Sequence, residues 1–176
     1  MSFQELPLEE LKVNPMHLIG QDWWLITAGN EENGYNTMTA AWGGLGALWQ
    51  RAHSKHSLPS ATIYVRPQRY TKAFLDREEL FTLSVLAPEQ RKALGYLGSH
   101  SGRDGDKVAA AGLTPVFVDG STTFAQARLV FVCRKLYHAP LLESGFVDTS
   151  LVESDYPERD FHEMYVGEIL KILVQE

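Results

Sequence analysis

A cluster of anion-binding groups follows an apolar segment in the first half of the chain. Residues 64–71 read Tyr-Val-Arg-Pro-Gln-Arg-Tyr-Thr, which brings two arginines and a threonine together. Pro67 favours an extended Arg66, and a helix can begin shortly after it. Guanidinium groups, hydroxyls and the free N–H groups at a helix start are the donors that bind a phosphate monoester. The segment therefore predicts a phosphate-binding site formed by Arg66, Arg69 and Thr71.

A plainer interpretation of the same segment stays open. Acidic side chains follow the arginines in the predicted helix, at Asp76, Glu78 and Glu79. They could neutralise a solvated arginine pair that binds no ligand, since exposed ion pairs are common and individually weak.

A polar strand lies upstream of the arginines. Residues 36–42 read Asn-Thr-Met-Thr-Ala-Ala-Trp, and the alternation puts Thr37 and Thr39 on one face and Met38 and Ala40 on the other. Amides, hydroxyls and backbone donors beside an aromatic side chain suit the polar edge and the flat faces of a ring-shaped cofactor. The alternative is a barrel strand whose threonines face water.

A glycine-rich loop with both signs of charge precedes a short helix. Residues 100–107 read His-Ser-Gly-Arg-Asp-Gly-Asp-Lys. This loop could close over an anion or place Lys107 near a developing negative charge. It could also be a surface loop with local salt bridges, in which Asp106 is an ordinary helix N-cap.

One histidine stands directly before the last apolar segment. His162 lies in the run Asp-Phe-His-Glu-Met-Tyr over residues 160–165. It could be a polar lid over a planar ligand or a proton donor. The alternative is a hydrogen-bonded loop residue without a chemical role.

Three common functional motifs are excluded by spacing. The glycines of residues 43–46 lack the third glycine and the downstream acid of a dinucleotide fingerprint. Residues 98–102 have His100 at the centre, where a nucleophile elbow needs serine. His53 and His56 have no Cys, Asp or Glu close by, so no metal site is expected.

Composition narrows the class of protein. The 176 residues carry 16 basic and 22 acidic side chains, a net charge of −6 that disfavours general nucleic-acid binding. The lone cysteine, Cys133, cannot form an intrachain disulfide and sits in an apolar run typical of a buried residue. Neither a signal peptide nor an apolar run of membrane length is evident. We therefore expect a cytoplasmic protein with no nucleic-acid or membrane partner.

Apolar runs and turn signals predict a mostly β chain. Six strands are expected, over residues 23–28, 36–42, 61–66, 80–86, 127–137 and 165–174. Short helices are expected over residues 70–79, 88–97 and 106–111, and the glycines of 43–46 are expected to end the second strand. The pattern indicates an antiparallel, Greek-key-like barrel with short helical inserts, formed by a single domain over residues 1–176.

Taken together, these segments resemble a known family. Residues 36–44, 65–71 and 101–107, with His162 and residues 165–169, are similar in order and spacing to the flavin reductase-like, flavoredoxin-type FMN-binding proteins. The resemblance extends from about residue 14 to residue 172. It implies a split β-barrel that forms a homodimer and holds FMN at the subunit interface.

The resemblance also implies roles for individual residues. The isoalloxazine ring and ribityl chain would be lined by Asn36, Thr37, Met38, Thr39 and Trp42. The phosphate segment would comprise Arg66, Arg69, Tyr70 and Thr71. A second loop would approach the cofactor with Ser101, Arg103 and Lys107. Lys107 and His162 are the candidates for a catalytic role, and His162 is a candidate for a contribution from the partner subunit.

The implied activity is that of an FMN-dependent oxidoreductase of the flavin reductase type, with NADH or NADPH as electron donor and a flavin or redox partner as acceptor. An FMN-carrying electron-transfer protein without its own nicotinamide turnover is the alternative, and a barrel that has lost its cofactor is a third. The segment 50–60, with His53 and His56, is longer than the resemblance leads us to expect. We expect it near the mouth of the cofactor site.

Overall fold

An antiparallel sheet forms most of the molecule. The structure, a computed structural model, describes residues 2–175, so residues 1 and 176 at the ends of the predicted domain lie outside the described residues. The strands of the described part are β1 (Phe3–Glu5), β2 (Trp24–Asn30), β3 (Gly34–Ala40), β4 (Gly43–Ala47), β5 (Pro59–Val65), β6 (Leu80–Leu86), β7 (Pro115–Val118), β8 (Ser121–Phe124), β9 (Ala127–Pro140) and β10 (Glu163–Gln175).

Short helices connect these strands. They are α1 (Pro15–His17), which continues as a π-helical turn (Leu18–Asp22), α2 (Tyr70–Arg77), α3 (Arg91–Ser99), α4 (Lys107–Ala110) and α5 (Ser150–Asp155). Single 3-10 turns occur at Leu8–Glu10, Pro88–Gln90 and Glu143–Gly145.

The order of the strands requires the sheet to close on itself. It runs β3-β2-β6-β9-β10-β5-β4, with β1 paired to β10, while β7 and β8 form a separate hairpin. The two edge strands, β3 and β4, are joined only by Ala41 and Trp42. Because three Cα steps span at most about 10 Å, the far edges of the sheet must come together. The result is a barrel with a split between β3 and β4, and the predicted fold class is confirmed.

Large apolar side chains fill the barrel. Trp24, Ile63, Phe81, Phe131 and Tyr165 are buried almost completely. Burial of a side chain of this size contributes about 2–3 kcal/mol each to folding, so the core fixes the positions of the strands. Outside the barrel, α3 and α4 pack against β8 and β9 in a second apolar cluster.

Four of the described strands were not predicted from the sequence: β1, β4, β7 and β8. The largest error is at residues 43–46, which were expected to end a strand and instead form most of β4. A Cβ atom on Gly43 would lie 2.3 Å from the Trp24 ring and 2.7 Å from the Thr62 carbonyl oxygen. Glycine therefore marks a close approach to the core here, rather than a strand end.

The predicted environment of Cys133 is confirmed. The residue lies on β9 with no exposed surface, and burial raises the pKa of its thiol. Its sulfur is a weak hydrogen-bond donor in an apolar setting, so it packs as a small hydrophobic side chain.

Candidate functional site

A small cavity opens at the split of the barrel, where β3 leads into β4. We call it the split cavity; its volume is about 190 Å³. Its lining residues are Met38, Thr39, Ala40, Ala41, Trp42, Tyr64, Arg66, Arg69 and His162. The rings of Trp42 and His162 lie 4.9 Å apart between centroids, at 41° to one another. Trp42 is 44% exposed, so the cavity offers a flat aromatic surface to solvent.

His162 is held as a neutral group. It is only 8% exposed, and its Nδ1 lies 2.8 Å from the Tyr156 hydroxyl. Burial, aided by the charge of Arg66, lowers the pKa of His162 to about 4. The imidazole is therefore uncharged at neutral pH and suits the role of a polar lid better than that of a proton donor. It lines the split cavity of the same chain as Trp42.

Arg66 is held by the segment before β10. Its Nη1 donates to Asp160 Oδ2 at 2.5 Å and its Nη2 to the Asp155 carbonyl oxygen at 2.7 Å. The guanidinium also lies 5.1 Å from the centre of the Tyr156 ring. These contacts, rather than an acidic group on α2, neutralise Arg66. The residue lines the split cavity together with Arg69 and, unlike the other predicted phosphate ligands, does not line the cavity that adjoins it.

A second cavity adjoins the first and concentrates positive charge. We call it the anion cavity; its volume is also about 190 Å³. It is lined by Asn36, Met38, Gln68, Arg69, Tyr70, Thr71, Ser99, His100, Ser101, Arg103 and Lys107. Three of these side chains are cationic and four carry hydroxyls, and none of the described residues that line it is acidic. The predicted residues of the two segments 65–71 and 101–107 thus meet in one place, apart from Arg66.

The anion cavity is preorganised by a buried hydrogen bond. Asn36 Nδ2 donates to Thr71 Oγ1 at 2.7 Å, which leaves the Thr71 hydroxyl proton for another acceptor. A Cβ atom on Gly102 would lie 2.2 Å from Asn36 Oδ1, so the loop packs directly on this amide. Among the described residues no side chain caps α2, and the first N–H groups of that helix stay available beside Tyr70.

Lys107 is a buried cation whose pKa is lowered. Its Nζ donates to the carbonyl oxygens of Leu97 at 3.2 Å and His100 at 3.1 Å. The pKa of Lys107 is lowered to about 8, mainly by burial and to a smaller extent by the nearby positive charge of Arg69. An anion in the cavity would offset both effects, because it stabilises the charged form.

The other two cations are fixed by contacts of their own. Arg69 Nη1 donates to the Gly98 carbonyl oxygen at 3.0 Å. The guanidinium of Arg103 lies 4.6 Å from the centre of the Tyr70 ring. Both side chains are largely exposed, so they can reach a ligand that enters from solvent.

The threonines of β3 do not act as a pair. Thr37 is fully buried, donates to the Ile26 carbonyl oxygen at 3.2 Å and lies 2.8 Å from the Thr27 hydroxyl. It is absent from the described linings of both cavities, so the structure does not place it at a ligand. Thr39 lines the split cavity and donates to the Leu94 carbonyl oxygen at 2.6 Å. The alternative that these threonines face water is wrong for Thr37, which is buried, while Thr39 is half-buried.

Several lining residues were missed in the sequence. Tyr64 alternates with the buried Ile63 and Val65 on β5, so the pattern alone could have placed its side chain on the face opposite to the core. Gln68 and His100 lie within the two predicted anion-binding segments but were not named as ligands, and Ser99, at the end of α3, carries no signal of its own.

The long segment before β5 lies elsewhere. Its Arg51 pairs with Glu168, and the ring of Trp49, directly before it, packs against Tyr137 at 6.2 Å between centroids. No described residue of the segment 50–60 lines the split or anion cavity, so the expectation that it borders the site of its own chain is wrong. The reason is topological, since the segment leaves β4 at the end opposite to Trp42.

A larger apolar groove opens beside the split cavity. Its volume is about 660 Å³, and it shares Ala41, Trp42 and Tyr64 with that cavity. Met16 and Leu151 on its rim are 75% and 47% exposed. The groove therefore extends the flat surface around Trp42 with exposed apolar side chains.

Two absences hold for the described part of the chain. Within residues 2–175 no group of three or more His, Cys, Asp or Glu side chains is placed to hold a metal ion. The helices described there are all too short or too polar to span a bilayer.

Comparison with known proteins identifies the family. The flavin reductase like domain matches residues 16–176, and the chain belongs to that family. A search of curated protein sequences finds no match. A solved structure similar to this one is the FMN-binding domain of a flavin reductases-like enzyme from Shewanella baltica OS155. It is 14% identical, with a TM-score of 0.66 over 98% of this chain and 77% of the other.

Two further structures share the fold. Flavoredoxin of Desulfovibrio vulgaris is 21% identical, with a TM-score of 0.63 over 88% of this chain and 69% of its own. The NADH:FAD oxidoreductase of Streptomyces globisporus is 20% identical, with a TM-score of 0.61 over 87% and 74%. At these identities the likeness shows the fold, and function has to be argued from the site.

Proposed function

We propose that this chain binds FMN, with the phosphate in the anion cavity and the isoalloxazine ring in the split cavity. One observation carries the proposal: a cavity with three cations and no acidic lining residue among those described adjoins an aromatic cavity, and the two share Met38 and Arg69. A phosphate ester of a planar ring needs this pairing of environments. Membership of the flavin reductase-like family and the FMN-binding proteins among the structural neighbours support the choice of ring.

The residues present fit the two ends of this ligand. Arg69, Arg103 and Lys107 would neutralise the phosphate, and the Thr71 hydroxyl and the first N–H groups of α2 would donate to it. Trp42 would lie against the ring, with the neutral His162 beside it. Arg66 belongs to the ring end in this arrangement, where its pairing with Asp160 keeps the local charge balanced.

We further propose that the activity is that of an NAD(P)H-dependent oxidoreductase of the flavin reductase type. When bound, the flavin supplies the capacity to accept a hydride. The chain contributes binding and orientation of the cofactor, since its three cations would hold the phosphate while Trp42 lies against the ring. The NADH:FAD oxidoreductase among the structural neighbours supports a nicotinamide donor.

We propose a homodimer in which a second copy covers the apolar groove. The groove presents exposed Met16, Trp42 and Leu151 next to the split cavity. An apolar surface of this kind is typical of a protein interface. The cofactor site would then lie at the boundary between the subunits.

An anaerobic stopped-flow experiment tests the activity. The FMN-loaded protein is mixed with NADH and, separately, with NADPH, and the visible flavin band is followed. We expect at least one nucleotide to bleach the band in a saturable reaction. A band that neither nucleotide bleaches, while dithionite does, would indicate a flavin carrier that takes its electrons from another donor.

A further inference from the structure

The chain between β4 and β5 forms a hairpin that the proposed flavin site does not use. We call residues 48–58 the basic hairpin. The backbone N–H of Leu48 donates to the Leu58 carbonyl oxygen at 3.0 Å, and the N–H of Leu58 donates to the Trp49 carbonyl oxygen at 3.0 Å. Because these bonds continue the pairing of β4 with β5, the basic hairpin has a defined shape that a partner can recognise.

The basic hairpin exposes two large apolar side chains. Leu48 and Trp49 are 40% and 48% exposed. Trp49 has a φ of +62°, which is uncommon for a bulky residue. Its ring packs against Tyr137, which is itself 44% exposed. Aromatic side chains fixed at the surface in this way are typical of a protein interface.

The charge of the basic hairpin is opposite to that of the whole chain. The chain has a net charge of −6, whereas residues 48–58 contain no acidic side chain and four basic or titratable ones, which are Arg51, His53, Lys55 and His56. Arg51 and Arg134 share one carboxylate, that of Glu168, so their ion pairs leave a positive charge in excess. An exposed apolar surface bordered by positive charge is complementary to an acidic surface.

The chain itself carries such an acidic surface, between β9 and β10. We call residues 143–160 the acidic segment; it has six acidic side chains and one arginine, a net charge of −5. The arginine pairs with Glu143 and Glu153. Asp148 and Glu158 are exposed and lie outside the described lining of the apolar groove. They can therefore meet a basic partner while the groove is covered.

The two surfaces do not meet within one chain. The basic hairpin contacts Glu168 and Tyr137, and no hydrogen bond, ion pair or ring contact joins its described residues to the acidic segment. The acidic segment borders the apolar groove through Leu151 and Tyr156, so it is continuous with the surface that a second copy would cover. In a two-fold dimer any contact between the two surfaces occurs twice.

We propose that the basic hairpin docks on the acidic segment of a second copy of this chain. The inference rests on the proposed homodimer, and it adds the pair of surfaces that orients the two copies. The segment 50–60 is longer than the family resemblance implies, so this contact belongs to this chain rather than to its family.

Sedimentation of the flavin-loaded protein at several salt concentrations tests the inference. We expect the dissociation constant of the dimer to rise about ten-fold between about 0.05 and about 0.5 M NaCl, because salt screens exposed charges. A dissociation constant that does not change with salt would overturn the inference and leave the apolar groove as the interface. A monomer at every salt concentration would overturn the homodimer and the inference with it.

Charge reversal locates the contact. Lys55→Glu, and separately Asp148→Lys combined with Glu158→Lys, should each weaken the dimer about ten-fold, and all three changes together should restore it to within about two-fold of the wild type. Lys92→Glu makes the same change of charge on an exposed residue of α3, and this matched control should leave the dimer unchanged. Losses that add in the triple variant would contradict the pairing, and the wild-type salt series decides the question if a variant does not fold.

Discussion

At the scale of single residues, the two arginines of the segment 65–71 have separate tasks. Arg69 lines the anion cavity as well as the split cavity, whereas Arg66 lines only the split cavity and is paired with Asp160. We expect Arg69→Ala to weaken FMN about ten-fold, because a hydrogen bond to a charged group contributes about 1.5 kcal/mol, and to leave riboflavin nearly unchanged. Calorimetry with both flavins measures the difference.

Arg66→Ala is the matched control for this prediction. Its guanidinium lies at the ring end, which the two flavins have in common, so its loss should weaken FMN and riboflavin by the same factor. A selective loss of FMN in Arg66→Ala, with equal losses in Arg69→Ala, would mean that the phosphate lies at the split.

Lys107 predicts how flavin binding depends on pH. Its pKa is lowered to about 8 from the ordinary 10.5, so the folded, ligand-free protein loses this charge as the pH rises through about 8. We expect the ratio of FMN to riboflavin affinity to be constant between pH 6.5 and 7.5 and to fall above pH 8, since a neutral amine binds phosphate less well. Ionisation of the ring is common to both flavins and cancels in the ratio.

Lys107→Met is the corresponding control, because it removes the titrating group. The ratio should be lower at pH 7 and should no longer fall between pH 8 and 9.5. If the wild-type ratio of FMN to riboflavin affinity did not change between pH 8 and 9.5, Lys107 would not contact the phosphate.

At the scale of elements, the junction of β3 and β4 holds the site open. Gly43 lies against Trp24 and the Thr62 carbonyl, and its φ of +155° disfavours any other residue. We expect Gly43→Ala to lower the free energy of unfolding by about 2 kcal/mol, because overpacking of a rigid core costs about 1–3 kcal/mol. Urea unfolding at pH 7 measures it.

The neighbouring glycine gives a matched comparison. A Cβ atom on Gly44 would meet no described heavy atom within 4 Å. We therefore expect Gly44→Ala to change the free energy of unfolding by less than 0.5 kcal/mol, as is usual for a surface substitution. Similar losses in the two variants would argue against a steric role for Gly43.

The sequence predicts long apolar elements better than short or glycine-rich ones. The bounds of β6 agree with the predicted 80–86, because an apolar run between turn signals has few other conformations. The glycines of β4 and the polar run of β8 resemble turns. They are strands because β5 pairs with β4, and because Thr82 and Ser84 bond to Thr122 and Thr123.

The same limit applies to the site. Local motifs placed Arg69, Thr71, Arg103 and Lys107 together, since each lies in a segment with a recognisable anion-binding composition. The position of Arg66 outside the anion cavity is fixed by its contact with Asp160, ninety-four residues away in the chain, and such a contact follows from the fold alone. Burial of Thr37 likewise depends on its cross-strand partner Thr27.

At the scale of the whole molecule, the split barrel leaves an apolar groove beside the site. A second copy of the chain over this groove would shield Trp42 and the ring from water. We expect sedimentation equilibrium of the flavin-loaded protein to give twice the chain mass of 19.8 kDa. Leu151→Glu, which places a charge on the rim, should shift the equilibrium toward the monomer.

A surface control completes this prediction. Val147→Glu alters an exposed apolar residue that does not line the groove, and it should leave the dimer intact. A flavin-loaded wild-type protein that sediments as a monomer would contradict the shared site.

The central claim is that two adjoining cavities along β3 hold the ring and the phosphate of FMN. A crystal structure of the protein with FMN tests it most directly. We expect the phosphate within hydrogen-bond distance of Arg69, Arg103 and Lys107, with the ring against Trp42. A phosphate in solvent or beside Arg66, with the anion cavity closed by its own side chains, would contradict the account.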